Sequence, residues 1–141
     1  MARRARLQIT GLYHVINRGV EKRRIFLDQG DYLMFLGMVV TLKRKFKFQI
    51  PAYCLMPNHY HFLIQTEEEN LGGIFKRIDQ LYTEYFNRKY DRVGTLWQSR
   101  YKSWYVNSFK YFDALVRYIE QNPVKSGLAE RVGEYIWTSG V

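Results

Sequence analysis

The stretch "YCLMPNHYHFLIQT", Tyr53 to Thr66, decides the fold. Two apolar runs meet at Pro57-Asn58, a dipeptide that marks a turn. Phe48 to Met56 before it reads as a strand, bent or at an edge near Pro51. His59 to Gln65 after it reads as the returning strand. Alternation puts His59 and His61 on one face, and Tyr60, Phe62 and Ile64 on the other. The second set suits a core stripe under helices. The histidines then face the opposite side with Cα atoms roughly 6.5–7 Å apart. Two imidazoles at that separation can converge on one ion, which needs a third ligand and open positions. Two packed strand histidines fit the same spacing, so the stretch alone leaves both readings open.

Outward from this hairpin the periodicities are clear. Leu12 to Gly19 reads as a strand. Asp28 to Phe46 carries apolar residues at helical spacing, with Asp28 as N-cap. Leu71 to Tyr90 has Leu71, Ile74, Phe75, Ile78, Leu81, Tyr85 and Phe86 on one helical stripe. Thr95 to Asn107 starts as loop and ends as strand. Ser108 to Asn122 reads as a third helix, capped by Ser108 and stopped where Pro123 pushes Asn122 out of helical geometry. One more short helix is expected after Gly127. The order β-α-β-β-α-β-α implies an α+β fold, a ferredoxin-like sandwich with an antiparallel sheet and two helices on one face. The third helix is extra and free to cover the other face. No repeat or linker interrupts the chain, so residues 1–141 read as one domain with a short basic arm over about residues 1–10.

Composition narrows the partners. Hydrophobic residues make up 47% of the chain and aromatic residues 17%, which excludes a disordered segment. The N-terminus "MARRARLQITG" has no apolar segment behind its basic residues, and no long apolar run suggests a membrane span. The single cysteine, Cys54, forbids an internal disulfide, and a reduced, cytoplasmic setting is the simple expectation. A net charge of +9 draws polyanions, nucleic acid foremost.

Several residues are candidates for chemistry or binding. Tyr118 and Asn122 in "VRYIEQNPV" lie four apart, on one helical face, beside an apolar stripe of Phe112, Val116 and Ile119. A helix docked through that stripe over the open sheet face would bring both to the histidines. A packing aromatic and a helix cap are the alternative readings of the two residues. Arg3, Arg4 and Arg6 form the basic arm, and Arg18, Lys22, Arg23 and Arg24 follow the first strand. "WQSRYKSWY" interleaves Trp97, Tyr101, Trp104 and Tyr105 with Gln98, Arg100 and Lys102, a mix that offers stacking faces and phosphate contacts. The same aromatics also fit a core and the same charges a solvated face. His14 could reach the histidine pair or simply pack on its strand.

"GLYHVINRG", "MPNHYHFLI", "YFNRKYDRVGTLWQSRYKS" and "YIEQNPVKSGL", in this order, resemble the REP-associated tyrosine transposases. These belong to the HUH single-strand transposases with one catalytic tyrosine, and the match runs from about Leu12 to Trp137. The resemblance implies that His59 and His61 are the metal-binding pair, with Tyr60 as the bulky residue between them. It implies that Asn122 is the third metal ligand and Tyr118 the nucleophile. The implied activity is a single-strand DNA endonuclease and strand transferase with a 5′-phosphotyrosine intermediate, acting on hairpin repeats with Mg²⁺ or Mn²⁺. Expected DNA contacts are Arg3, Arg4, Arg18, Gln98, Arg100 and Lys102. The expected partner is single-stranded or hairpin DNA and no membrane, with monomer and homodimer both open. The alternative is a non-catalytic single-strand nucleic-acid binding module on the same sandwich. Family members usually continue past a "WSS" segment; here "WTSGV" ends at Val141, and any contact made by a longer tail falls outside this sequence.

Overall fold

The turn at Pro57-Asn58 does what its residues dictate: it folds β2 (Phe48–Met56) back on β3 (His59–Thr66) as an antiparallel pair. The computed structural model describes residues 9–140. β1 (Gly11–Arg18) pairs with the other side of β3, and β4 (Lys102–Val106) pairs with β1. The sheet order is β2-β3-β1-β4, antiparallel throughout. Pro51 falls at the register irregularity between Gln49 and Ala52 of the edge strand β2, where no ladder donor is lost.

One face of the sheet carries α1 (Gln29–Phe46) and α2 (Leu71–Lys89). Tyr60, Phe62 and Ile64 are buried there against Phe35, Val39, Ile74, Phe75 and Ile78. Asp28 caps α1 by accepting from the Asp31 amide at 3.0 Å. Asp31 then ties the two helices together. Its carboxylate accepts from Tyr85 and Lys89, at 2.8 and 2.9 Å, and from Tyr90. The opposite face is covered in part by α3 (Phe112–Glu120), which packs over β2 and β3. Ile119 is its anchor, fully buried with Leu12, Ala52, Cys54, Met56 and Leu63. The α+β sandwich, with its extra helix on the second face, is therefore as expected.

Two local expectations fail. The third helix does not run from Ser108 to Asn122. Ser108 caps a 3-10 turn at Phe109–Tyr111, α3 ends at Glu120, and a separate α4 (Asn122–Lys125) follows. Pro123 sits in the first turn of α4, where its missing N–H has no helical partner to lose. It opens a helix instead of ending one. No helix forms after Gly127 among the described residues. That tail instead runs along the β2 edge: Leu55 N donates to Trp137 O at 2.8 Å and Ser139 N to Tyr53 O at 3.0 Å. Trp137 stacks on Tyr32 with ring centres 4.6 Å apart, which closes an edge open to mispairing. Among the described residues no helix is long and apolar enough to cross a membrane.

Beneath the histidine strand lies a half-buried acid whose carboxylate is turned inward. Asp79 on α2 accepts from Tyr60 Oη and from Asn17 Nδ2, both at 2.9 Å, and its carbonyl accepts from Trp97 Nε1 at 3.0 Å. Burial pushes its carboxyl up to about 7, against the opposing pull of the bonds from Asn17 and Tyr60. The folded chain therefore binds this proton more tightly than the unfolded one. The stability contributed falls as pH rises from about 4 to about 7 and levels off above that. Asp79→Asn resembles the protonated acid. The variant's thermal midpoint is expected to gain on the parent's steadily as pH climbs through that window. A gap between the two that does not change with pH would contradict this account.

Candidate active site on the open sheet face

The alternation that buries Tyr60 and Phe62 turns His59 and His61 to the α3 face. Their rings stand nearly perpendicular with centres 5.1 Å apart. Register pairing sets Ile16 opposite His61 and Arg18 opposite His59, so β1 supplies the neighbouring side chains. His14, two residues before Ile16, reaches His61: Nε2 of His14 lies 3.1 Å from Nδ1 of His61.

The chain brings the distant candidates to the same place. Ile119 docks α3, and its neighbour Tyr118 stands with 43% of its surface exposed. The phenol ring is edge-on to both His61 and His14, with centres 6.1 Å apart in each case. Asn122, at the start of α4, sets its amide nitrogen 3.3 Å from His61 Nε2. Tyr118, His61 and Asn122 thus converge although α3 is shorter than expected, because the Gln121 cap keeps helical dihedrals between α3 and α4.

These contacts fix proton positions. The Asn122 amide nitrogen can only donate, so His61 Nε2 carries a lone pair. His61 Nδ1–H must then donate to His14 Nε2. His59 Nδ1 faces Asn58 Oδ1 at 2.7 Å and donates to it, which leaves His59 Nε2 as a lone pair. Burial, then the neighbouring His59 and His14, push His61 down to about 3. Burial and then Arg18 lower His59, and burial lowers His14. The imidazoles are neutral at physiological pH, the form that binds metals.

Among the described residues no group of three or more His, Cys, Asp or Glu side chains is assembled for a metal. An ion held by His59 and His61 would take its third ligand from another residue type. Asn122 provides an amide oxygen beside the nitrogen that faces His61. Two neutral nitrogens and one neutral oxygen, without sulfur, suit a borderline or hard divalent ion that also binds a phosphate.

The basic expectations divide. A cavity of about 420 Å³ beside the histidines is lined by Arg18, Lys22, Gln98 and Lys102. Arg18 donates to Gln98 Oε1 through Nε at 2.8 Å and through a terminal nitrogen at 2.6 Å, which holds the guanidinium at the rim. Arg100 is exposed and does not line this cavity. Arg3, Arg4 and Arg6 lie outside the described residues. Trp97 and Tyr101 take the core reading of the two the sequence left open: they are 7% and 5% exposed and belong to the helix-side core. Trp104 and Tyr105 do reach the surface. His14 takes the first of the two readings its sequence allowed, and the β1–β3 register, with Ile16 opposite His61, is what brings it there.

A sandwich with paired imidazoles on its second face, approached by a helix bearing a phenol, is the arrangement that the resemblance to the tyrosine transposases implied. The chain is a member of the IS200-like transposases: the family model described as "Transposase IS200 like" matches residues 8–122. Its relatives include the REP-associated tyrosine transposase of Escherichia coli K12, 25% identical over 118 residues, which cover 82% of this chain and 68% of the relative. A putative REP-associated tyrosine transposase of Haemophilus influenzae is 29% identical over 106 residues, 67% of this chain and 60% of the relative. The fold matches a solved REP-associated tyrosine transposase bound to a REP hairpin, with TM-score 0.81 at 21% identity, over 99% of this chain and 82% of that one. A putative transposase from Deinococcus radiodurans R1 matches with TM-score 0.55 at 16% identity, over 86% and 97%. The resemblance read from the motifs is thereby borne out, and the family is one of DNA-cleaving enzymes.

His14 gives this geometry a direct check. Partners of a ligand histidine's second nitrogen commonly change metal affinity 10–100-fold. His14→Phe keeps the ring area but loses the acceptor for His61 Nδ1–H. Mn²⁺ affinity, measured by calorimetry on the folded variant, is expected to fall within that range. Parental affinity in the variant would contradict the assigned tautomer.

Proposed function

We propose that this chain is a metal-dependent single-strand DNA endonuclease and strand transferase in which Tyr118 is the nucleophile. The supporting observation is the approach of the Tyr118 phenol and the Asn122 amide to His61, on a surface with three cations within reach. Hairpin repeat DNA is the proposed substrate, by likeness to the relatives whose names specify it. A reducing, cytoplasmic setting fits the DNA partner and the buried free thiol of Cys54.

His59, His61 and Asn122 are the proposed ligands of a divalent ion, Mg²⁺ or Mn²⁺. That ion would supply Lewis-acid polarisation of the scissile phosphate and offset the charge that develops there. The chain's own groups do the rest. His14 and Asn58 hold the ring nitrogens of His61 and His59 in one tautomer each. Arg18, Lys22 and Lys102 attract the flanking phosphates into the adjoining cavity. Tyr118 Oη gives up its proton to solvent and attacks phosphorus in line, the bond from phosphorus to the 3′ oxygen breaks, and that oxygen leaves as a 3′-OH after taking up a proton from solvent, so charge and protons balance. The 5′ phosphate stays on the phenol. One ester replaces another, so a second 3′-OH can reverse the step and rejoin strands without a nucleotide cofactor.

A non-catalytic binding module would need none of this convergence. Tyr118→Phe separates the two. The variant is expected to bind single-stranded hairpin DNA as the parent does and to lose cleavage of it in the presence of Mn²⁺. Nicking by Tyr118→Phe at the parental rate would rule the tyrosine mechanism out.

A further inference from the structure

α3 lies mainly over β2 and β3 and meets β1 and β4 only at Leu12, His14 and Val106, so the β4 side of this sheet face is covered only in part. A second cleft opens there, between β4 and α3, with a volume of about 560 Å³. Its walls are Trp104, Tyr111, Leu115 and Tyr118, with His14 at the floor. It differs from the basic cavity on the other side of the histidines. Trp104 is 51% exposed and Tyr111 55%, so both rings present open faces along the cleft.

Three observations specify the occupant. The cleft shares Tyr118 and His14 with the candidate active site, so whatever fills it lies against the reacting atoms. Cations stand at its rim: Lys125 Nζ lies 4.9 Å from the Tyr118 ring centre and Lys110 Nζ 5.9 Å from that of Tyr111. One side of the Trp104 indole is held by His14, at 5.7 Å between centres, while half the residue stays open. Flat apolar faces ringed by positive charge match a flat aromatic group that carries phosphates on either side. An apolar peptide would leave the lysines unanswered.

We infer that the Trp104–Tyr111–Tyr118 cleft is a stacking site for one unpaired nucleobase next to the phosphate that Tyr118 attacks. This rests on the reading of Tyr118 as nucleophile for the base's position along the strand, but not for the binding itself. The base stacks on Trp104 and the flanking phosphates lie toward Lys110, Lys125 and, past the histidines, Lys102. Stacking needs no particular base edge, so this cleft contributes affinity and registers the strand; it does not read sequence.

The test is a binding measurement in chelator, where no cleavage occurs. The probes are a short single-stranded oligothymidylate and an abasic deoxyribose-phosphate strand of equal length. Of the three tryptophans, Trp97 is buried and Trp137 is stacked on Tyr32, so quenching of exposed-tryptophan emission reports on Trp104. The parent is expected to bind the base-bearing strand more tightly than the abasic one, with quenching. In Trp104→Ala that preference falls about tenfold and the quenching disappears, while abasic binding is unchanged. Trp104→Phe, which keeps a ring and guards against misfolding, retains most of the preference, and Tyr111→Ala loses part of it. An unchanged preference in Trp104→Ala, or equal losses for both strands, would overturn the stacking site. Because chelated protein is used, a failure of the tyrosine mechanism would leave these outcomes as they are and show instead as absent cleavage.

Discussion

Everything in this molecule hangs on the face assignment of β3. A strand can send only alternate side chains to one side, and here Tyr60, Phe62 and Ile64 are fully or almost fully buried beneath α1 and α2. His59 and His61 have no freedom left but to face the other way. A slip of one residue would put two imidazoles into the apolar layer and two aromatic rings into solvent, a change that burial of the aromatic set opposes strongly. Pairing on both sides holds this register: Cys54 and Ile16 flank His61, and Met56 and Arg18 flank His59. The hydrogen bond from Tyr60 to Asp79 adds a polar lock from below.

The second face of the sheet is then a place where distant parts of the chain can meet. Ile119 brings α3 down on the cluster of Leu12, Ala52, Cys54 and Leu63, and the next residue toward the N-terminus is Tyr118. The helix does not cover the whole face. Its position over β2 and β3 leaves a basic cavity on one side of the imidazoles and an aromatic cleft on the other. Charge alone would attract any polyanion. A basic cavity on one side and a ring-lined cleft on the other would suit one particular kind, the strand with unpaired bases that the proposed function calls for.

Much of this was legible in the sequence, and the misses have physical causes. The β2–β3 hairpin announced itself through period-2 alternation around a Pro-Asn turn, and the two long helices through their apolar stripes. Those signals come from burial on one side, which sequence records directly. The third helix was misread at Pro123. The restriction on the residue before a proline is real, but it does not distinguish the end of one helix from the first turn of another. Trp97 and Tyr101, among Gln98, Arg100 and Lys102, stay open in the sequence between a stacking face and the core. The segment before β4 has no regular period, so neighbours in sequence say nothing about which way a ring points. Trp97 in fact turns inward to donate to the Asp79 carbonyl. Helical spacing and a docking stripe allowed Tyr118 and Asn122 to meet His61 but equally allowed a packing aromatic and a helix cap, and the family resemblance chose between them; the contact of His14 needed the strand register, which no single strand's sequence contains.

The central claim, that the phenol of α3 is the group joined to DNA beside the paired imidazoles, is tested most directly by finding the attached residue. The chain is incubated with Mn²⁺ and single-stranded hairpin DNA, denatured, digested with protease and nuclease, and the nucleotide-bearing peptide is sequenced by mass spectrometry. Of 12 tyrosines, only Tyr118 is expected to carry the 5′ phosphate. A nucleotide on any other tyrosine, or cleaved DNA with a free 5′ phosphate and no bonded peptide, would contradict the account.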